Sequence, residues 1–417
     1  MNPLKSSRAG TNASATAGRR PLERIPFVEG LRGFCALYVV LGHLCSMSDP
    51  SRLAGVVDHN PVWFQRIIAP FAFGHLAVAA FIVISGYCLQ LSLFASGDGR
   101  IRSGKRFFVR RAKRILPAYY GCLIASIAVA IFVTPKLPGL PFAMYLPVNS
   151  ETVLTHVLMV HNLSAGWMYK INGVLWSIAV EAQLYLLFPL LVASLFRIGR
   201  WWTLVAASGV AVATLHFVPE TEKLYPWYLP LFALGMAAAH LAYRPHPRIG
   251  LRAGIARLVA GTAVGGCLLG LIRGWSIPAS DALIGAAVAC LCYYGSISRP
   301  TPFVRFLSTK PLLGLGAFSY SLYLMHHPVQ QTLFLLRPGW AQGPTFELAY
   351  LVATLPVIVG AAWLFSLAFE RPFLVKRPQT VPRAEFVPLS LPLQTVYSGP
   401  PKAASPRSVE LKVATVL

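Results

Sequence analysis

An all-α integral membrane protein, a polytopic bundle of about ten transmembrane helices with disordered termini, is the fold class that this sequence predicts. The first observation behind it is compositional: of 417 residues 55% are hydrophobic and 12% charged, with a mean hydropathy of +0.58. Soluble domains carry about 25% charged residues, and a water-soluble fold of this size could not bury so much apolar surface in one core. The second is that the apolar residues gather into runs long enough to cross a bilayer. The third is where the charge falls. The net charge of +23 is not collected in one patch, as a nucleic-acid interface would require. Lys and Arg sit in short clusters between the apolar runs, the pattern that sets orientation in a membrane. The expected partner is therefore the lipid bilayer, and no nucleic acid.

A spanning helix needs about 17–25 mostly apolar residues. Stretches that qualify are 30–47, 70–94, 115–133, 174–196, 201–218, 228–243, 254–272, 279–297, 312–336 and 346–369. A further stretch, 151–165, is less apolar and holds His156, His161 and Asn162. The positive-inside rule decides whether it spans. If it does not, and the N-terminus is cytosolic, the inner loops carry 17 Lys and Arg residues against 7 outside. If it does, every later loop inverts and the count becomes 12 against 12. The sequence therefore predicts both termini inside, with 134–173 as a long outer loop that has room for a re-entrant or interfacial helix. Residues 1–24, rich in Ser, Ala and Arg, read as a disordered cytosolic leader without a cleavable signal. Residues 25–376 form the membrane domain, and 377–417, rich in Pro, Ser and Val, a disordered cytosolic tail. The seven cysteines all lie within or at the edge of apolar runs, with no CxxC or HxxxH cluster. That spacing argues against a disulfide framework and against a metal site.

Ionisable groups inside a membrane are costly, so each is a candidate for function. In the first run Glu29, Arg32 and His43 share one helical face, since Arg32 and His43 differ by only about 20° in azimuth. They lie about 16 Å apart along the axis, a cation toward the cytosolic end and an imidazole toward the outer end. A substrate could stretch between them, although a helix-end ion pair with Glu29 would account equally for Arg32. In 174–196, Ser177, Glu181 and Tyr185 recur at i, i+4. Glu181 is at a depth comparable with that of His43, which makes a carboxylate–imidazole contact possible. In 312–336, His326 and His327 precede Pro328, whose missing N–H frees a carbonyl nearby. The stretch from Arg106 to Tyr120 packs five Arg and Lys residues against one membrane boundary. Guanidinium forks match phosphate oxygens, and anchoring to anionic lipid would look the same.

Taken together these segments resemble the acyltransferase-3 family of multi-pass membrane acyltransferases, over roughly residues 25–376. The resemblance is carried by Arg32, ten residues, then His43; by Ser85-Gly86-Tyr87; and by Arg111 and Arg114 followed by Ile115, Pro117 and Tyr119. Trp176, Ser177, Val180 and Glu181, the run Ser319 to His326, and Glu370-Arg371-Pro372-Phe373 complete it. The chain departs from the family pattern at Glu29, where Asp is usual, at Ala182, often Glu, and at His327, commonly Trp.

The resemblance implies transfer of an acyl group, most often acetyl, from cytosolic acyl-CoA to a hydroxyl of a carbohydrate or glycolipid. No tightly bound cofactor is implied; acyl-CoA is the donor substrate. An unactivated hydroxyl needs a base, and histidine titrates nearest neutral pH, so His43 is the expected base or acyl carrier. Glu181 is expected to orient its imidazole, Arg32 to hold the thioester carbonyl or part of the donor, and Arg111 and Arg114 the CoA phosphates. His326 and Tyr323 are expected to line the pocket. The rival reading from the same buried groups is a proton-coupled transporter or acyl-group flippase.

Overall fold

A computed structural model of the chain describes residues 25–48, 61–137, 139–218, 224–243, 249–341 and 344–374. The expected leader and tail lie outside the described residues. Everything described is helical or loop. The helices are α1 (Pro26–Ser48), α2 (Val62–Ile68), α3 (Gly74–Ser96), α4 (Gly104–Phe132), α5 (Ser150–Val157), α6 (Leu175–Arg197) and α7 (Arg200–Phe217). They continue with α8 (Tyr228–Tyr243), α9 (Ile249–Ile272), α10 (Ile277–Ile297), α11 (Pro302–Leu307), α12 (Lys310–Ala317), α13 (Ser319–Leu335) and α14 (Pro344–Phe369). The chain is thus a multi-pass α-helical membrane protein, with helix at each of the predicted spans. Its outward faces carry large apolar side chains such as Ile124, Leu190 and Ile272, 70%, 68% and 80% exposed, which only a lipid solvent makes favourable.

Among the described residues seven helices are long and apolar enough to cross a membrane, fewer than the ten predicted spans, and the shortfall has physical causes. Helix α8 has 16 residues, about 24 Å at 1.5 Å per residue. Phe232 and Met236 are wholly buried within it, so it is an interior helix with little lipid to match. The 312–336 stretch divides at Phe318 (φ −130°, ψ 25°) into α12 and α13. Helix α7, at the 201–218 stretch, has only 18 residues and includes Arg200 and His216. The 151–165 stretch, not one of the ten, makes no spanning helix: α5 has 8 residues, opened by an Asn149–Thr152 capping box, and a 3-10 turn follows at His161–Leu163.

The basic stretch before the third run, expected as a loop, is the first three turns of α4. Ser103 caps it by accepting a hydrogen bond from the Arg106 N–H at 3.3 Å, and no breaker intervenes before Pro117, which the helix carries internally. A helix sorts its charges by azimuth where a loop does not. Lys105, Arg106, Arg110 and Lys113 are exposed, whereas Arg111 and Arg114 turn inward.

Two glycine contacts set the frame. Helix α3 packs most extensively against α8, where a Cβ on Gly86 would collide with the Phe232 carbonyl oxygen and one on Gly235 with that of Val83. Gly30 and Gly33 likewise let the first turns of α1 lie against the backbones of α11 and α12. Small residues allow this approach, and van der Waals contact drives helix association in lipid. A Gly235→Val substitution should therefore destabilise the solubilised protein by about 1–3 kcal/mol, through overpacking. Gly209→Val on α7, where a Cβ meets nothing within 4 Å, should leave the thermal unfolding midpoint in place.

Candidate functional site

Helices α1, α3, α4, α6 and α13 enclose a cavity with about 800 Å³ of empty space, its open mouth included. Arg32 reaches it from α1, Arg111 and Arg114 from α4, Glu181 from α6 and Tyr323 from α13. Five of the seven residues singled out in the sequence therefore share one wall-to-wall space. Three guanidiniums face one carboxylate, and the Arg111 Nε is buried without a hydrogen-bond partner. Such a space favours an anion carrying several acceptor oxygens.

Glu181 is held by hydroxyls. Its Oε1 accepts from Ser85 at 2.7 Å and from Tyr185 at 2.5 Å. The contact with His43 that comparable depth made possible is not formed: the His43 ring has its own partner and lies against a different helix. Depth along two helices says nothing about azimuth, and Glu181 points at α3.

His43 belongs to a second cluster. Its ring lies 5.1 Å from that of His326 and 5.4 Å from that of His327, both edge-on. The Nδ1 of His43 is 3.0 Å from the Val39 carbonyl, and the Nδ1 of His326 is 3.1 Å from that of Leu322. A carbonyl can only accept, so each Nδ1 carries the hydrogen and each Nε2 keeps its lone pair. The His326 Nε2 is buried with no partner, and no hydrogen bond reaches the His43 Nε2 among the described residues. His327 is different. Thr134 donates to the Gln331 Oε1 at 2.7 Å, which turns the Gln331 amide nitrogen to the His327 Nδ1 at 3.1 Å. The His327 Nε2–H then donates to the Tyr145 hydroxyl at 3.0 Å. With both nitrogens engaged His327 is a fixed wall, and the adjacent imidazoles that sequence left equivalent are thereby separated.

Tyr323 joins the two clusters. It lines the cavity, its ring lies 5.8 Å from that of His326, and its hydroxyl is 2.6 Å from the Ser177 Oγ. None of the three histidines lines the cavity; Tyr323 and Phe81, which do, stand between its guanidiniums, near the start of α1 and α4, and the open imidazole nitrogens near the end of α1.

Sequence reasoning missed Tyr145, set in an apolar, proline-rich stretch, and Gln331, and it missed the pair His75–Asp281. The His75 Nδ1 lies 2.7 Å from the Asp281 Oδ1 across 206 residues of sequence. No local pattern joins such partners.

The segment carrying Tyr145 is closed over the bundle by hydrogen bonds from the Tyr119 and Tyr120 hydroxyls to the His156 and Val157 carbonyls, at 2.7 and 3.0 Å. The His156 and His161 rings stack there at 3.8 Å. Burial pushes the His156 imidazole down to about 4, and burial, with His156 adjoining, pushes His161 down to about 3. Both groups are depressed relative to the unfolded chain, so their contribution to stability is complete above about pH 6.5 and is lost as pH falls toward the folded values. Thermal unfolding of the solubilised protein should show that loss below about pH 6.5. The His161→Phe variant, which keeps an aromatic ring in the stack, should reduce it to the share that His156 contributes.

A family model described as an acyltransferase domain matches residues 25–366. Among curated proteins the chain is similar to the peptidoglycan O-acetyltransferase OatA of Listeria monocytogenes, 24% identical over 340 residues, covering 73% of this chain and 49% of that protein. It is similar to the O-acetyltransferase OatA of Staphylococcus aureus, 25% identical over 345 residues, covering 73% of this chain and 50% of that one. The putative peptidoglycan O-acetyltransferase YrhL of Bacillus subtilis is 24% identical over 337 residues, with 73% and 48% covered. The chain spans about half the length of these curated relatives. No solved structure matches it. With the family model covering most of the bundle that builds both clusters, the chain belongs to the acyltransferase-3 family.

Proposed function

We propose that this protein moves an acetyl group from acetyl-CoA, entering from the cytosolic side, to a hydroxyl of a cell-surface glycan. A single observation carries the reading. Tyr323 lines the cavity that holds three guanidiniums, and its ring lies 5.8 Å from that of His326, which with His43, 5.1 Å away, keeps an open Nε2. Arg111 and Arg114 bind the CoA phosphates, because planar forks fit phosphate oxygens in pairs. Arg32 takes the donor further along, and Glu181, fixed by Ser85 and Tyr185, offsets part of the positive charge. The pantetheine arm then runs past Tyr323 toward His43, about 16 Å along α1 from Arg32.

At that end the His43 Nε2 takes the proton of the acceptor hydroxyl as its oxygen attacks the thioester carbonyl. The bond to sulfur breaks, the thiolate leaves and takes the proton, and the products are an acetyl ester and free CoA. The Val39 carbonyl holds the imidazole in the tautomer this needs. His326 lines the reacting end and supports the imidazolium that forms. The orientation rests on the excess of Lys and Arg in the loops assigned to the cytosol, 17 against 7. The relatives' names, which specify peptidoglycan, favour a peptidoglycan-type acceptor.

The test is transfer by the purified protein in lipid nanodiscs, with radiolabelled acetyl-CoA and muramidase-solubilised peptidoglycan, read as ester-linked acetyl by mass spectrometry. Wild type should form the ester and release CoA. His43→Ala should lower the rate by a factor of about 10² or more while the protein stays folded. Arg111→Gln should raise the KM for acetyl-CoA roughly tenfold or more, the loss of one charge-assisted contact. A protein that neither consumes donor nor esterifies the glycan would be a transporter or flippase.

A further inference from the structure

Resting on the acyl-transfer reading, we propose that His75, oriented by Asp281, is the docking point for the carbohydrate acceptor: its Nε2 accepts a hydrogen bond from a sugar hydroxyl at the end of the bundle where α3, α8 and α10 begin.

The pair has the form of an oriented imidazole. Asp281 is wholly buried, with a side-chain exposure of 0% against 19% for His75. Both carboxylate oxygens are used: Oδ1 by the His75 Nδ1 at 2.7 Å and Oδ2 by the Trp227 indole N–H at 2.9 Å. A buried carboxylate needs such donors, and its hold on Nδ1–H leaves the His75 Nε2 as the open atom. No hydrogen bond reaches that atom among the described residues, and the ring retains access to the outside. A pair that served only to brace three helices would close both partners; here only the carboxylate is closed.

Its placement ties it to the site. His75 stands one turn before Val78 on α3, and Val78, Ile82 and Ser85 line the cavity. At 100° per residue His75 lies within about 80° of these three but about 120–180° from Phe81, Ile84 and Cys88, which also line it, so His75 stands toward one edge of the face that α3 turns to the cavity. It is also at the correct end. The Tyr38 hydroxyl of α1 donates to the Pro70 carbonyl just before α3, at 2.5 Å. The start of α3 thus meets the half of α1 that carries His43, while Arg32, Arg111 and Arg114 occupy the other half. A donor filling the cavity from the guanidinium end would leave this end for the acceptor. The neighbours suit a sugar: half-buried Phe73, whose ring is 6.5 Å from that of His75, and half-buried Tyr225, 5.0 Å from the ring of the Trp227 that holds Asp281 and stacked on Trp176 at 4.2 Å. Aromatic faces beside a few fixed polar groups are how a polyhydroxylated ligand gains both contact area and orientation. Trp176 stands at the start of α6, whose next residue, Ser177, lines the cavity.

The experiment uses the full chain in nanodiscs, with the same solubilised peptidoglycan and acetyl-CoA. His75→Ala should raise the acceptor KM at least tenfold, leave the dissociation constant for acetyl-CoA within twofold of wild type, and keep a wild-type unfolding midpoint. His75→Gln, which can still accept through its amide oxygen, should recover most of the loss. An independent measurement needs no variant: carbethoxylation of His75 by diethyl pyrocarbonate, mapped by mass spectrometry, should be slowed by saturating glycan and not by acetyl-CoA. An unchanged acceptor KM overturns the proposal. So does a loss of donor affinity in parallel with acceptor binding and folding, or glycan that gives His75 no protection although wild type acetylates it. Failure of wild type to acetylate any glycan would instead sink the acyl-transfer reading itself.

Discussion

Three guanidiniums facing one carboxylate inside an apolar bundle is the constraint from which the rest of this structure follows. Arg32, Arg111 and Arg114 share their cavity with Glu181 alone among acidic side chains, and an uncompensated cation at membrane depth is expensive. The protein meets that cost partly by geometry. Helix α4 starts well before its apolar portion, so Arg111 and Arg114 sit on a helix already anchored by exposed Lys and Arg on its other face. The remaining charge is an affinity for an anion, and the cavity supplies the room for one.

The reacting end obeys a different rule. His43 and His326 each commit Nδ1–H to the carbonyl one turn back, an intrahelical bond that needs no other helix to hold it. Their Nε2 atoms therefore stay available whatever ligand is present, while His327 spends both nitrogens on Gln331 and Tyr145. Close backbone contact at Gly30 and Gly33 holds α1 against α11 and α12, and at Gly86 and Gly235 holds α3 against α8, which fixes the helices that carry Arg32, His43 and Ser85.

Much of this was legible in the residues. Hydropathy located helix at every predicted span, because a bilayer-crossing run is the strongest signal a sequence carries. The helical phase of Arg32 and His43 anticipated a stripe with a cation and an imidazole at opposite ends. What failed to show has physical causes. The basic start of α4 reads as a loop when charge is taken to mean solvent, yet Lys and Arg are good helix formers. The break at Phe318 follows Gly314 and Gly316, which a hydropathy window averages into the apolar run around them. Glu181 and His43 matched in depth, but which neighbour a side chain faces is decided by packing, and Ser85 of α3 lies across from it. The His75–Asp281 pair spans 206 residues, a contact that only the folded chain reveals.

The central claim is that donor phosphates and the reacting imidazole occupy the two ends of one site. A structure of the protein in nanodiscs with a non-transferable thioether analogue of acetyl-CoA tests it most directly. The account predicts the pyrophosphate among Arg32, Arg111 and Arg114, with the acyl end past Tyr323 and within contact of the His43 imidazole. Phosphates bound away from these arginines, or an acyl end that stops at Glu181 out of reach of His43, would contradict it.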